Sequence, residues 1–532
     1  MALGPRVSRG SGRTRLLGRR VLPLLAVITT AMLIAACSGE GQENEQSAQA
    51  DSNCPTDPPP FIDDGFPQPE FRHSENGVLE TTLRAASSTV TLDGRPYVTR
   101  AYEGSVPGPM LVVCPGDRMI VNLQNDLEEE TNLHTHGFNV SPRDNSDNIF
   151  LDIKPGERFT YEFDIPEDEP PGAYWYHPHH HLNSGGQVFE GMAGPIIVEG
   201  GLDEMPGFRD IPQRVLAIQN TQLGDDGRVV PQSAEAGDND TQLFVNGAIN
   251  PEIKVRPGEL QRWRIYNMNS DRFVKLRLEG QEFQLLATDG NTLEQIQPVD
   301  EMLVAPGSRS EVLVRGGTPG SYKLEALPFT RFPAPGGSTP EETVATIVSG
   351  DEPVDDVQDT AGALEEREDL RQVPVDRERS IVYSEDVESN PPKFFINGKE
   401  FDPDRVDQTM RLGDVEEWTI TNDSDEWHTF HIHVNDFQLV EMDGKPVEGI
   451  SPQDNVSISP NSSVKMRTRF INFTGKFVFH CHVLHHEDHG MMSAVEVVDP
   501  EAQDEPTNVA SSDADHGDGE AQATSGHHDE DH

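Results

Sequence analysis

Basic residues are scarce in this chain of 532 amino acids: 41 Lys and Arg against 92 Asp and Glu leave a formal net charge of −51. A surface of that sign repels polyanions, which argues against nucleic acid as a partner. What the charge does supply is hydration and solubility, not a fold or a chemistry. Long apolar stretches with helical periodicity are rare, while Gly (46) and Pro (41) abound. That balance favours short strands joined by turns, as in β-sandwiches and barrels. Methionine numbers only 13, with no clustered run, and no histidine lies between His181 and His428. At this length the chain can hold several domains of the usual 100–200 residues.

The N-terminus reads as an export signal. Residues 1–20 are rich in arginine and free of acid, and residues 21–36 form an apolar stretch too short for a membrane span. It ends in Leu33-Ile34-Ala35-Ala36-Cys37, which resembles a bacterial lipobox with Cys37 as the lipidated residue; an ordinary cleaved signal is the plainer alternative. Arg19-Arg20 resembles a twin-arginine signal, but Pro23 counts against it. Either way the chain is expected outside the cytoplasm, anchored to the membrane by lipid alone. Residues 38–76 read as a tether and irregular lead-in, and residues 499–532 as an acidic disordered tail. That tail carries His516, His527, His528 and His532, which could collect metal weakly. Cys54 and Cys114 are either a disulfide or two buried thiols.

Between these ends there is repetition. Cys114-Pro115-Gly116-Asp117 leads into a strand ending near Asn125, Arg256-Pro257-Gly258-Glu259 into one ending at Asn267, and Arg411-Leu412-Gly413-Asp414 into one ending at Asn422. Each is a glycine turn followed by an alternating strand. A second echo pairs Leu276-Arg277-Leu278 and Phe283-Gln284-Leu285 with His431-Ile432-His433 and Phe437-Gln438-Leu439, so ligand-type residues occupy one copy only. Three copies of one β-rich domain are expected, at 77–200, 201–352 and 380–498. The charged linker 353–379 includes a short helix candidate at 361–372.

Fourteen of the 19 histidines fall within 134–181 and 428–489. Neutral imidazole is the commonest nitrogen ligand of copper, zinc and iron, so the clustering points to metal. Four motifs hold them: His134-Thr135-His136-Gly137, Trp175-Tyr176-His177-Pro178-His179, His428-Thr429-Phe430-His431-Ile432-His433, and His480-Cys481-His482 with His486 and Met491. On a strand, residues i and i+2 project from one face, so each His-x-His pair aims two imidazoles into one space. Eight such histidines suit a metal cluster at a seam between the first and third domains; structural zinc would use four ligands and usually more cysteine. Cys481 has a separate task. With His428, His486 and Met491 it supplies a blue-copper set, a His₂Cys plane with a weak axial thioether. Its neighbours His480 and His482 point the opposite way, which gives an electron on the sulfur a short covalent route into the cluster.

The four motifs together resemble the copper signatures of the multicopper oxidases, and with the repeat the likeness spans about residues 78–498. It implies an all-β fold of three tandem cupredoxin-like Greek-key domains, the second without catalytic copper, and four copper ions. Carried over residue by residue, it implies that His428, Cys481 and His486 hold the type 1 copper with Met491 axial. His134 and His431 would hold the type 2 copper, and His136, His177, His179, His433, His480 and His482 the type 3 pair. The implied activity is that of a bacterial laccase, a monomer coupling one-electron oxidation of phenolic or similar small molecules to four-electron reduction of O2 to water. An axial Met491 implies a low-to-medium potential.

Two acids are candidate proton carriers. Glu487 follows His486 where similar bacterial laccases use a glutamate to relay protons; a surface carboxylate is the alternative. Asp147 matches an aspartate near the type 2 copper, although the segment after His136 is longer than in better-known relatives. His180, His181, His485 and His489 are read as supporting or exposed groups, and Trp175 and Tyr176 as packing. The rival activity is a metallo-oxidase acting on Cu(I), Fe(II) or Mn(II) in detoxification; the lack of a methionine-rich run counts against the copper-exporting kind. A non-catalytic copper-binding or envelope protein is disfavoured by the complete ligand set. A nitrite reductase is disfavoured by the third domain and the full type 3 set.

Overall fold

Each of the three glycine turns opens into the same kind of strand. The computed structural model describes residues 54–55, 58–232, 241–334, 336–355, 360, 362–450 and 452–500. In it Gly116, Gly258 and Gly413 sit at φ of +86°, +82° and +94°, a region that glycine enters without steric cost. The strands that follow are Arg118–Asp126, Leu260–Asn267 and Val415–Asn422. Each lies parallel to an earlier strand (Val78–Leu92, Gln213–Leu223, Arg377–Asp386) and antiparallel to a later one (Arg158–Asp164, Arg309–Arg315, Ser463–Arg469).

The recurring asparagine has a structural reason. Asn125 donates to the carbonyls of Glu129 and Ile153, both at 2.8 Å; Asn267 to those of Arg272 and Val304 at 2.9 and 2.8 Å; Asn422 to those of Glu426 and Ile458 at 2.7 and 3.2 Å. A carbonyl has a second lone pair to offer beyond any backbone bond, and one side-chain amide carries two donors, so each asparagine ties two chain segments at the end of its strand.

A second sheet closes each unit and also repeats its order. Met110–Val113, Glu252–Val255 and Gln408–Arg411 run parallel to the unit's last strand, Gly194–Val198, Glu342–Ser349 or Met492–Val498. Next come Gly172–His177, Gly320–Leu327 and Gly475–Cys481, antiparallel. Beside them lie His134–His136, Val274–Leu278 and His428–Ile432. Between the paired sheets sit three cores, around Leu83, Val121 and Phe163, around Trp263, Leu276 and Phe283, and around Trp418, Phe430 and Phe479. Burying such side chains contributes roughly 1.5–3 kcal/mol each. A smaller apolar seam joins units one and two, where Ala173, Trp175 and Ile197 meet Val215, Ala217 and Tyr266.

The expected helix at 361–372 does not form. The chain there runs along strand Asn291–Val299: Leu364 N–H donates to the Glu294 carbonyl at 2.8 Å, Ile296 N–H to the Gly362 carbonyl at 3.3 Å, and Ala363 bridges Gln295. Covering the open edge of a strand satisfies backbone groups, whereas a helix this short is marginal by itself. Only one 3₁₀ turn remains, Leu370–Gln372, capped by Asp369. Within the stretch read as lead-in, Phe71–His73 adds a strand parallel to Met110–Val113. Cys54 and Cys114 are joined, with sulfurs 1.97 Å apart. The expected signal, the lipobox at Cys37 and the tail beyond residue 500 lie outside the described residues. Among the described residues no helix is long and apolar enough to cross a membrane.

Candidate metal centre

The histidine motifs fall on equivalent strands of units one and three. His134–His136 pairs with Gly172–His177, setting His134 opposite His177, and His428–Ile432 pairs with Gly475–Cys481, setting His431 opposite His480 and Phe430 opposite Cys481. The two halves meet ring on ring. His136 stacks on His431 with centroids 3.8 Å apart, and His134 on His433 at 3.9 Å. Three trios result, each with ligand atoms within 4.8 Å of one another: His134, His136 and His431; His136, His177 and His482; His179, His433 and His480.

All eight rings are buried, and their nitrogens are not all satisfied. Nε2 of His134, His177 and His431 and Nδ1 of His136 have no hydrogen-bond partner, while the opposite nitrogen of each faces an acceptor: Asp147 for His134, the Pro178 carbonyl for His177, the Asp454 carbonyl for His431, and the Asp454 carboxylate for His136. Acceptors on one side fix the proton there and leave a bare lone pair on the other. Burial, and after it the mutual repulsion of neighbouring rings, holds His134, His136, His177, His433, His480 and His482 far below the usual imidazole range. Burial takes His179 down to about 4. These rings are therefore neutral, the state that binds metal.

Both predicted acids touch the nest. Asp147 accepts from His134 Nδ1 at 2.9 Å and from Thr135 N–H at 2.9 Å, and burial pushes its carboxyl up to about 7. The longer segment after His136 thus still delivers it. Glu487 is buried rather than on the surface, its oxygens 3.4 Å from His179 Nδ1 and 3.1 Å from His480 Nδ1, and burial raises it as well. Asp454 was not foreseen. It lies on no motif, and only its contacts with His136, His431 and Arg309 mark it.

Cys481 stands apart from the nest. Its sulfur lies 3.5 Å from His428 Nδ1 and 3.6 Å from His486 Nδ1, with the two nitrogens 3.1 Å apart. Met491 is buried in the same cluster, and its carbonyl accepts from Cys481 N–H at 3.0 Å. The far nitrogens are held by the Ser424 hydroxyl, 2.9 Å from His428 Nε2, and by Glu426, 3.1 Å from His486 Nε2. Burial opposes ionisation of Glu426, but Arg331 and His486 overcome it and hold the carboxyl well below the usual range. Glu426 lies in the bend before strand His428–Ile432, two residues ahead of a ligand. Burial drives the Cys481 thiol up to about 12. Over His486 opens a cavity of about 590 Å³ walled by Phe332, Pro333 and Phe394, with Glu385 and Glu426 at its acidic side. Phe394 stacks on His486 at 4.1 Å.

His180, His181, His485 and His489 lie beside the ligand sets. His180 is 3.0 Å from Asp152, His181 packs edge-on against Phe401, and His489 Nδ1 donates to the His485 carbonyl. Trp175 stacks on His177, and the Tyr176 hydroxyl donates to the Pro109 carbonyl.

Three sequence profiles described as multicopper oxidase match residues 84–202, 213–348 and 372–501. The chain belongs to the multicopper oxidase family. It is 28% identical over 438 residues to a multicopper oxidase of Staphylococcus aureus, covering 80% of this chain and 90% of that one. It is 22% identical over 516 residues to a laccase of Bacillus subtilis, covering 81% and 96%. Among solved structures it resembles a multicopper oxidase from Campylobacter jejuni described as a metallo-oxidase, with TM-score 0.71, 29% identity, and coverage of 84% and 98%. A laccase-like multicopper oxidase from Ochrobactrum gives TM-score 0.71, 25% identity, and coverage of 81% and 100%. The all-β architecture is therefore that of tandem cupredoxin-like domains, and the chain is a copper oxidoreductase that uses O2.

Proposed function

We propose that this multicopper oxidase is laccase-like, taking electrons singly from phenolic or similar small molecules and delivering four to each O2 to form water. The observation that carries the reading is a thiol site joined through Cys481 to an eight-imidazole nest, with a cavity open over His486 on the thiol side. The donors fit copper: one buried thiol, soft and tightly flanked by two nitrogens, beside neutral imidazoles whose bare lone pairs converge. His428, Cys481, His486 and Met491 would hold a type 1 ion, and His134 and His431 a type 2 ion. His136, His177 and His482 would hold one type 3 ion and His179, His433 and His480 the other, which makes four. Bound there, copper supplies reversible one-electron chemistry and a place for O2.

The chain supplies the rest. Glu426 and Ser424 fix the two type 1 rings so that both Nδ1 atoms face the sulfur. Cys481 must shed its proton on loading, so metal uptake releases acid. Phe332, Pro333 and Phe394 offer apolar walls to an aromatic ring, and Glu385, raised to about 7 first by burial and then by Glu426, faces the same space as an acceptor for a phenolic proton. At the nest, Glu487 and Asp147 hold protons next to His179, His480 and His134. A second reading, oxidation of a reduced metal ion, is favoured by the acids Glu385, Asp423, Asp425 and Glu426 around that cavity and by the metallo-oxidase relative.

One experiment separates the readings: copper-load the protein, count the metal, and follow O2 uptake with a phenol and with Cu(I), Fe(II) and Mn(II). Phenol turnover well above metal-ion turnover is expected, and the reverse ratio makes the protein a metallo-oxidase. The reading also places a monomer outside the cytoplasm on a lipid at Cys37. Cys37→Ser should move it from the membrane fraction to the soluble one.

A further inference from the structure

Units one and three supply every imidazole of the nest, yet one side chain of unit two reaches it. Arg309, buried on strand Arg309–Arg315, donates from Nε to the Ala173 carbonyl of unit one at 3.0 Å and from Nη1 to the Gly307 carbonyl of its own unit at 3.2 Å. To Asp454 of unit three it donates twice, Nη1 to Oδ1 at 2.8 Å and Nη2 to Oδ2 at 2.5 Å. Asp289 holds it from behind, accepting the Arg309 backbone N–H at 2.8 Å. A single guanidinium thus touches all three units, and its two-pronged grip fixes the plane of the Asp454 carboxylate.

Asp454 faces two stacked rings and treats them oppositely. Its Oδ1 lies 2.9 Å from His136 Nε2, and its backbone carbonyl 2.8 Å from His431 Nδ1. An ionised carboxylate and a carbonyl can only accept, so His136 carries its proton on Nε2 and His431 on Nδ1. The nitrogens left bare, Nδ1 of His136 and Nε2 of His431, are the ones without partners. We infer that the Arg309–Asp454 pair is a positioning device through which the middle unit sets the tautomer and orientation of His136 and His431 at the nest. The inference rests on the reading of those two histidines as copper ligands.

A second observation leads to the same place. Gly137, at φ +95°, has no room for a side chain: a Cβ there would stand 2.5 Å from Arg309 Nη2, 2.6 Å from Asp454 Oδ2 and 3.0 Å from Tyr174 Cδ1. The glycine that completes the motif His134-Thr135-His136-Gly137 is thus required by the pair. A buried ion pair adds little net stability compared with apolar residues of the same size. Its place here is better explained by the geometry it imposes on its neighbours.

The test uses full-length, copper-loaded protein. Asp454→Asn keeps the volume but cannot accept from both prongs of Arg309, since one of its two terminal atoms is now a donor that faces either Nη2, or Nη1 together with His136 Nε2. Gly137→Ala removes no charge or donor; its Cβ displaces the pair, with backbone strain and a tight contact to Tyr174 beside it. In both, the blue type 1 absorption should match wild type while copper at the nest binds about 10- to 100-fold more weakly, with loss or alteration of the type 2 EPR signal. Wild-type protein that takes up no copper at the nest would mean that the ligand reading itself is wrong. If wild type binds four ions and Gly137→Ala, or a folded Asp454→Asn, retains wild-type nest affinity and EPR spectrum, the inference is overturned. Loss of type 1 and nest copper in parallel also overturns it, because the pair would then serve the fold alone.

Discussion

Replacing Asp147 should separate the two halves of the proposed reaction. Its carboxylate accepts from His134 Nδ1 at 2.9 and 3.0 Å, from Thr135 N–H at 2.9 Å and from the Thr135 hydroxyl at 3.2 Å. In Asp147→Asn one oxygen remains for Thr135, so the loop is kept and the charge-assisted bond to His134 is what goes. A hydrogen bond to a charged group contributes ~1.5–3 kcal/mol against ~1 for a neutral one, so the loss is about 1–2 kcal/mol, or roughly 5- to 30-fold in any step that depends on His134. Asp147→Ala leaves His134 Nδ1–H and Thr135 N–H buried without acceptors, at ~1–3 kcal/mol each, so the effect should reach about 100-fold. The assay is stopped flow at pH 8, above the value of about 7 to which burial pushes this carboxyl. A phenol first bleaches the blue colour without oxygen, and an O2 pulse then restores it. Bleaching should keep its wild-type rate in both variants while recovery slows. Recovery at the wild-type rate in Asp147→Ala, or bleaching slowed as much as recovery, would refute the assignment of Asp147 to the oxygen side.

Met491→Leu should raise the type 1 potential in a redox titration, since a thioether donor is removed from the axial position; an unchanged potential denies Met491 that position. Glu199, raised to about 7 from 4.5 first by burial and then by Asp203, holds its proton more tightly folded than unfolded, so its stabilisation is complete below about pH 4.5 and is lost as pH rises through about 7. Glu199→Gln should therefore melt higher than wild type at pH 8, by at most roughly 3 kcal/mol, with the gap closing at pH 5. Gly172→Ala would set a Cβ 2.2 Å from the Gly290 carbonyl oxygen, and urea unfolding should show a loss of about 1–3 kcal/mol from overpacking at the seam of units one and two.

The repeat was legible because it is written in residues with few substitutes. A left-handed turn asks for glycine, and two loop carbonyls at the strand end ask for one amide, which is why Gly116, Gly258 and Gly413 and the three asparagines stand out. The ligand candidates were legible for a similar reason: soft nitrogen and sulfur donors come from histidine, cysteine and methionine, here largely spaced by the strand. The segment 361–372 misled because its charges and leucines suit a helix locally, while the open edge of strand Asn291–Val299, distant in sequence, decided the outcome. Asp454 and Glu426 stayed hidden because carboxylates are everywhere in a chain with 92 of them, and Arg309 because nothing in its local sequence marks it. Only the fold singles out the ones that face imidazole.

The strand that carries His431 in unit three shows what that selection costs the protein. Its counterpart in unit two, Val274–Leu278, buries Val274, Leu276 and Leu278 in its core as unit three buries Phe430 and Ile432, and carries Lys275 and Arg277 on the alternate face where unit three carries His431. Units one and three keep that core and set on the other face of the strand rings with nitrogens that find no partner. A buried polar atom left unsatisfied costs ~1–3 kcal/mol, so the four bare nitrogens of His134, His136, His177 and His431 together cost about 4–12 kcal/mol, as much as the whole margin of a typical domain. The seam between units one and three therefore cannot be justified by packing. Metal binding must offset that cost, and unit two takes part in it by gripping the nest through Arg309.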